Sequence, residues 1–216
     1  MRGQNFMSIA SVGAVALLSL AGTASADVVV QLGQGWEAVL ATNNVTLTVI
    51  PSTDGVLHLS KEGVFNTIDP FTGAPEPLII TFRQVLPDNQ TASTIMIDDE
   101  MIMNLSGLNW TGYRQILSLS DNVAFDPSST AMSVGPEFTT NTLLNANREM
   151  LSNGGPGVLN GAMWMPGFTG GLTINVDLAG QDTPVVFVLK ELPVIPTPGA
   201  AAMGLAGLVA MGRRRR

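Results

Sequence analysis

Short segments in which apolar and polar residues alternate recur throughout the middle of this chain. In residues 45–49, three apolar side chains alternate with two threonines, which is the pattern of a strand with one buried face. Glycine, proline, asparagine and aspartate separate such segments and favour turns. The pattern therefore restricts the chain to an all-β fold.

The predicted strands share β-branched or alternating apolar residues and are bounded by turn residues. They cover residues 28–32, 45–49, 56–60, 78–86, 94–105, 113–119, 172–178 and 185–191. Roughly seven to nine strands at this spacing indicate one antiparallel β-sandwich, jelly-roll or Ig-like. We expect residues 45–49 and 56–60 to form a hairpin, and residues 94–105 to pair with 113–119.

Two irregular features interrupt this pattern. Residues 139–151 contain several leucines on one side of a helical period, which predicts a short helix in a long loop. Asp98, Asp99 and Glu100 lie in the middle of the strand predicted for residues 94–105. Because three consecutive acids cannot all face solvent on a flat strand, we expect a bulge or an edge position there.

The first 26 residues have the organisation of a secretory signal peptide. Arg2 precedes an apolar stretch of residues 9–20, and Ala24 and Ala26 form an A-x-A cleavage pattern. The mature chain would begin at Asp27. We therefore divide the chain into a signal peptide (residues 1–26), a sandwich domain (27–194) and a C-terminal segment (195–216).

Charge and residue counts exclude several classes of function. Outside the two terminal segments the chain has five basic and seventeen acidic residues, so electrostatics disfavours nucleic acid as a partner. The absence of cysteine excludes disulfides, thiol catalysis and cysteine metal sites. His58 is the only histidine, which excludes zinc sites with two or three histidines.

The C-terminal segment combines three parts in a fixed order. Pro196 and Pro198 keep residues 195–199 out of a helix, and an apolar run follows at residues 200–211. The chain then ends with four basic residues, Arg213, Arg214, Arg215 and Arg216. These arginines prefer the cytoplasmic side of a membrane, so the domain before them would lie outside. Sorting by the tail and plain membrane anchoring are both consistent with this order.

Pro196, Thr197, Pro198 and Gly199, followed by a short apolar helix and an arginine cluster, resemble the PEP-CTERM sorting signal of exported bacterial proteins. Thr197 stands where the usual motif has glutamate. The resemblance implies recognition by an exosortase, a membrane enzyme that cleaves near the motif. Residues 101–113 are also similar to a segment common in these proteins, which implies a β-rich domain but no particular activity.

Two groups of residues could bind ligands. Asp98, Asp99 and Glu100, together with Asp121 and Asp126, could supply oxygen ligands to Ca²⁺, although they lack the spacing of a calcium loop. Trp164 lies between glycines in residues 161–167 and is the tryptophan we expect to be exposed, as a platform for sugar. We expect Trp110 to lie in the core.

These observations predict an exported protein of the cell surface or extracellular matrix, held in the inner membrane before processing, with a structural or adhesive role. No catalytic residue, cofactor or metal is assigned. The alternatives are a carbohydrate-binding module, with or without calcium, that binds extracellular polysaccharide, and a secreted hydrolase that uses paired carboxylates.

Overall fold

The computed structural model describes residues 27–167, 170–181 and 183–196. These residues form thirteen strands and two short 3₁₀ helices, Asp88–Gln90 and Pro127–Ala131. In chain order the strands are β1 (Val28–Gly33), β2 (Trp36–Leu40), β3 (Val45–Ile50), β4 (Leu57–Phe65), β5 (Leu78–Gln84), β6 (Thr94–Asn104), β7 (Trp110–Ser118), β8 (Val123–Phe125), β9 (Thr140–Leu144), β10 (Glu149–Val158), β11 (Met163–Trp164), β12 (Leu172–Val176) and β13 (Val186–Val194). The all-β prediction is confirmed.

The strands form two sheets. The larger sheet has the order β1-β2-β5-β13-β7-β10-β9, and the smaller has the order β3-β4-β6-β12-β8, with β11 paired to β6. Among the described strands, β4 and β6 pair in parallel and every other pair is antiparallel. Two largely antiparallel sheets of this kind are consistent with a β-sandwich.

Aromatic side chains from the two sheets meet between them. The ring of Phe65 on β4 lies 5.0 Å from that of Trp110 and 6.0 Å from that of Tyr113, both on β7. The ring of Trp164 on β11 lies 4.9 Å from that of Tyr113. Trp110 is 1% exposed, as predicted. The core of the protein therefore lies between the sheets, where burial of large aromatic surfaces stabilises the fold.

Most of the predicted strand segments are present, and the predicted hairpin is β3 paired with β4. The predicted helix over residues 139–151 is wrong, because this segment contains β9 and the start of β10. These strands pair with each other from Leu144 and Glu149, across a turn whose residues Asn145, Ala146 and Asn147 have positive φ. Left-handed residues end any regular helix, so the leucines belong to strands.

The predicted pairing of residues 94–105 with 113–119 is also wrong. β6 belongs to the smaller sheet, whereas β7 lies in the larger sheet between β13 and β10. The connection from β6 to β7 therefore crosses from one sheet to the other. Similarly, β5 lies in the larger sheet, so the chain leaves the smaller sheet after β4 and returns to it in the same direction as β6.

The expected bulge at the acidic residues is confirmed. Leu59 pairs with Ile97, but Ser60 pairs with Asp99, so Asp98 is an extra residue on β6. One extra residue reverses the side of the sheet that every later side chain faces. The bulge thus places Glu100 inward, in series with Ile97 before it and Ile102 after it, all buried.

Candidate functional site

Four strands place ionisable and polar side chains together in the core. Lys61 on β4 pairs with Glu100 on the neighbouring β6, and Glu191 on β13 pairs with Gln115 on the neighbouring β7. Each sheet therefore contributes one pair, and the two pairs face each other between the sheets. Tyr113, two residues before Gln115 on β7, faces the same side. We call these five residues the buried cluster.

Direct contacts join the members of the buried cluster. Lys61 Nζ lies 3.0 Å from Glu100 Oε1 and also donates to Glu191 Oε2. Gln115 Nε2 donates to Glu191 Oε1 at 3.0 Å and to Glu100 Oε1 at 3.1 Å.

The Tyr113 hydroxyl donates to Glu191 Oε2 at 3.1 Å. The side chains of Lys61, Glu100 and Glu191 are 0% exposed. The cluster is therefore sealed from solvent, and a sugar cannot reach its carboxyl groups.

Burial and mutual proximity shift the pKa values of the cluster. Burial raises the pKa of Glu100 to about 7, although Lys61 opposes the change. Burial alone would lower the pKa of Lys61, but the Glu100 and Glu191 carboxylates raise it above its usual value. Burial, and then the two carboxylates, raise the pKa of Tyr113 well above 10.0. Tyr113 thus stays protonated, while Glu100 can exchange a proton near neutral pH.

A second group of ionisable residues lies near the surface, around His58. His58 Nδ1 lies 2.8 Å from Asp98 Oδ2, and Nε2 lies 3.0 Å from Asp54 Oδ2. Ser52 Oγ donates to Asp54 at 2.6 Å, so the serine contacts the carboxylate and leaves both ring nitrogens to the two aspartates. An imidazole held in this way does not activate a serine nucleophile.

The chain has no match among protein-family models, curated protein sequences or solved structures. In the described part of the chain, no helix is long and apolar enough to cross a membrane. Within the same residues, no group of three or more acidic or histidine side chains is arranged to hold a metal ion.

The structure separates the residues predicted as calcium ligands. Asp98 contacts His58, Asp99 is exposed and Glu100 is buried among the cluster. Farther along, Asp121 pairs with Arg148, while Asp126 accepts hydrogen bonds from Ser128 and Asn175. The described structure therefore does not bring these carboxylates together.

The expectation that Trp164 is exposed is wrong. Trp164 is 1% exposed, and its indole Nε1 donates to the Val134 carbonyl at 3.0 Å. Its ring packs edge-on against Phe138 at 5.0 Å. The adjacent Met163 on β11 is 42% exposed, so strand alternation turns the methionine outward and the tryptophan inward. Trp164 is a core residue and cannot be a ligand platform.

Most residues of the two predicted terminal signals lie outside the described residues. Pro196 is the last described residue of the C-terminal segment, and Ile195 packs against the core. Outside the described residues lie Ala24 and Ala26 of the signal cleavage pattern, and Thr197, Pro198, Gly199, Arg213, Arg214, Arg215 and Arg216 of the sorting motif.

The buried cluster was not predicted from the sequence, although the sequence contains a signal for it. Inward positions on β4 continue from Leu59 through Lys61 to Gly63, all buried. On β13, Glu191 continues the inward series of Phe187 and Leu189. An ionisable residue at an apolar position of a strand is therefore the signal. For Glu100 this signal is hidden, because the bulge at Asp98 shifts the alternation of β6 by one residue.

Proposed function

We propose that this protein is exported, sorted by an exosortase-like system and displayed on the bacterial surface or in the extracellular matrix, where it has a structural or adhesive role. The supporting observation is the position of the sandwich between the two predicted signals. β1 begins at Val28, after the cleavage pattern, and β13 ends at Val194, before Pro196. Cleavage at both signals would therefore leave every strand intact.

A structural role is also supported by the burial of the ionisable cluster. Lys61, Glu100 and Glu191 face one another inside the sandwich and are closed to substrates. For the same reason the secreted hydrolase has less support. At the finer level we infer that the two facing sheets are a jelly-roll or Ig-like sandwich, an architecture that surface modules use because loops cluster at the ends of its sheets.

The intact mass of the native protein, recovered separately from medium and envelope, tests the sorting proposal. We expect a species that begins at Asp27 and ends near Pro198, with or without added glycan. A species that retains Arg216 and occurs only in membranes would contradict sorting and favour a plain C-terminal anchor. A matched variant with Pro196 and Pro198 replaced by alanine should retain its tail if the motif is read.

Carbohydrate binding is a second candidate because one aromatic side chain is presented on the surface. Phe71 is 96% exposed, and its loop is fixed by Asp69, whose Oδ1 accepts from the Phe71 backbone N–H at 2.8 Å. This hydrogen bond lowers the pKa of Asp69, so the carboxylate remains a strong acceptor. An exposed aromatic ring on a loop with a fixed backbone can stack on a sugar.

Retention on extracellular polysaccharide from the producing bacterium tests this candidate. Phe71→Ala should weaken retention, because it removes the stacking surface without affecting the core. Leu159→Ala is the matched control, since Leu159 is 58% exposed in a different loop. Equal retention of the wild type and the Phe71 variant would contradict carbohydrate binding through this loop.

A further inference from the structure

We propose that Lys61 and Glu191 condense to form an intramolecular amide bond that joins the two sheets, with Glu100 transferring the protons that the reaction requires. The bond would be a covalent modification within the core. It goes beyond the proposed surface role and does not depend on it, because the reacting groups all belong to the folded sandwich.

The fold holds the amine and the carboxyl group in contact. Lys61 is fixed by β4 in the smaller sheet, and Glu191 is fixed by β13 in the larger sheet. Neither side chain can turn to solvent, because both are enclosed by the core. Groups held together in this way react with effective concentrations far above any in solution, because the entropy of bringing them together has been lost on folding.

The partners of Glu191 distinguish its two oxygens. Oε1 accepts from Gln115 Nε2 at 3.0 Å, and this amide can stabilise negative charge that develops on Oε1 during attack. Oε2 accepts from the Tyr113 hydroxyl at 3.1 Å and from Lys61 Nζ. We therefore assign Oε1 as the oxygen that remains in the amide and Oε2 as the oxygen that leaves.

The atoms and protons of this reaction balance within the cluster. The Lys61 ammonium gives one proton to Glu100, whose Oε1 lies 3.0 Å away, and Glu100 passes this proton to Glu191 Oε2. The free amine then attacks Cδ of the neutral Glu191 carboxyl group, and the C=O electron pair moves onto Oε1. Nζ gives its second proton to Oε2, the C=O bond to Oε1 forms again, and the Cδ–Oε2 bond breaks to release water. Glu100 is regenerated, so the step needs no oxidant, reductant or activating group.

The buried environment favours the condensed product. An ion pair in the core carries a desolvation penalty for each charge, and condensation replaces the ammonium and one carboxylate with a neutral amide. Its N–H can donate to Glu100, and its C=O can accept from Gln115. The Glu100 pKa of about 7 makes this group a better proton acceptor than an ordinary glutamate, and the raised pKa of Lys61 makes the transfer from its ammonium an uphill step.

Mass spectrometry of the full-length folded protein tests the bond. We expect an intact mass lower than the sequence mass by one water molecule, after allowance for terminal processing. Trypsin should not cut after Lys61, and digestion should yield one branched peptide that contains both Lys61 and Glu191. Separate linear peptides for these residues, with no loss of water, would overturn the proposal.

Three variants separate the roles within the cluster. Lys61→Met removes the amine and should abolish the branched peptide. Lys190→Met changes the lysine that precedes Glu191 on β13 and should leave the cross-link in place, within a longer tryptic peptide. Glu100→Gln keeps the size of the side chain as well as both reacting groups, and should reduce the cross-linked fraction at least tenfold. If Lys61→Met does not fold, Glu100→Gln still tests the reaction. A fully cross-linked Glu100→Gln protein would contradict the role of Glu100.

Discussion

Among single residues, the tryptophans show how the core accepts large polar aromatic side chains. The indole N–H of Trp36 donates to the Ala92 carbonyl at 2.9 Å, and that of Trp110 donates to Ser106 Oγ at 3.2 Å. Trp164 donates in the same way to a backbone carbonyl. Because each donor is paired, the rings add apolar contact without an unsatisfied polar group.

A variant with Trp164 replaced by alanine should therefore be less stable than the wild type. We expect a loss of about 3–5 kcal/mol in the free energy of unfolding, because the change leaves a large cavity in the core. Met163→Ala is the control, since Met163 is adjacent but 42% exposed. Urea unfolding followed by fluorescence measures both, and equal midpoints for the two variants would argue against a core role for Trp164.

The charge state of His58 should make stability depend on pH. Asp98 and Asp54 raise the pKa of His58 above 6.5 against the opposing effect of burial, so its contribution is present below pH 6.5 and is lost as pH rises through the folded value. The hydrogen bond from Ser52, followed by those from Val56 and His58, lowers the pKa of Asp54 from 3.8 to about 2. The contribution of Asp54 to the free energy of unfolding is present above pH 3.8 and is lost as pH falls through about 2.

His58→Gln should consequently destabilise the protein most between about pH 3.8 and pH 6.5, where Asp54 is ionised and His58 is protonated. We expect a larger difference from the wild type at about pH 5 than at about pH 9, where the imidazole is neutral. Thr48→Ala, at an exposed position of β3, should show a difference that does not vary with pH. Urea unfolding at both pH values measures this, and a difference for His58→Gln that is the same at each would refute the prediction.

At the scale of elements, β10 contains glycines that the close approach of neighbouring backbones requires. Its pairing with β7 is irregular between Asn153 and Val158, and Gly154, Gly155 and Gly157 have positive φ. A Cβ at Gly157 would lie 1.9 Å from the Trp110 carbonyl oxygen. These glycines therefore form a bulge within the strand, where only glycine allows the two backbones to approach.

Gly157→Ala should disrupt this bulge. Gly161→Ala is a matched control, because Gly161 also has positive φ but nothing lies within 4 Å of its Cβ position. The control should cost about 1–2 kcal/mol through backbone strain alone, and Gly157→Ala about 2 kcal/mol or more beyond that, through overpacking. Thermal unfolding compares the two, and equal melting temperatures would show that the contact can relax.

The sequence predicted which segments are strands better than it predicted their neighbours. Alternation located β3, β5, β6 and β12, because one buried face leaves a local pattern. Sheet membership leaves no such pattern, so the transfer of β7 to the larger sheet and the parallel pairing of β4 with β6 were not predicted. The helix prediction for residues 139–151 failed because leucine occurs in both helices and strands. The left-handed turn at residues 145–147 decides in favour of two strands.

At the scale of the whole molecule, the buried cluster is the place where the two sheets are connected by charged groups. Lys61 and Glu100 come from one sheet, and Glu191 and Gln115 from the other. Sequence alternation indicates that Lys61, Glu191 and Gln115 face inward, but only the bulge in β6 and the pairing of β4 with β6 and of β13 with β7 bring the cluster together. An amide bond there would fasten the sandwich across its core and suit a domain exposed outside the cell.

A high-resolution crystal structure of the native protein would test this account most directly, through the electron density between Lys61 Nζ and Glu191 Cδ. The account predicts continuous planar density and a separation of about 1.33 Å, the length of an amide C–N bond. Separate density for an ammonium and a carboxylate, with Nζ about 2.7–2.9 Å from Oε2 as in an ion pair, would contradict it.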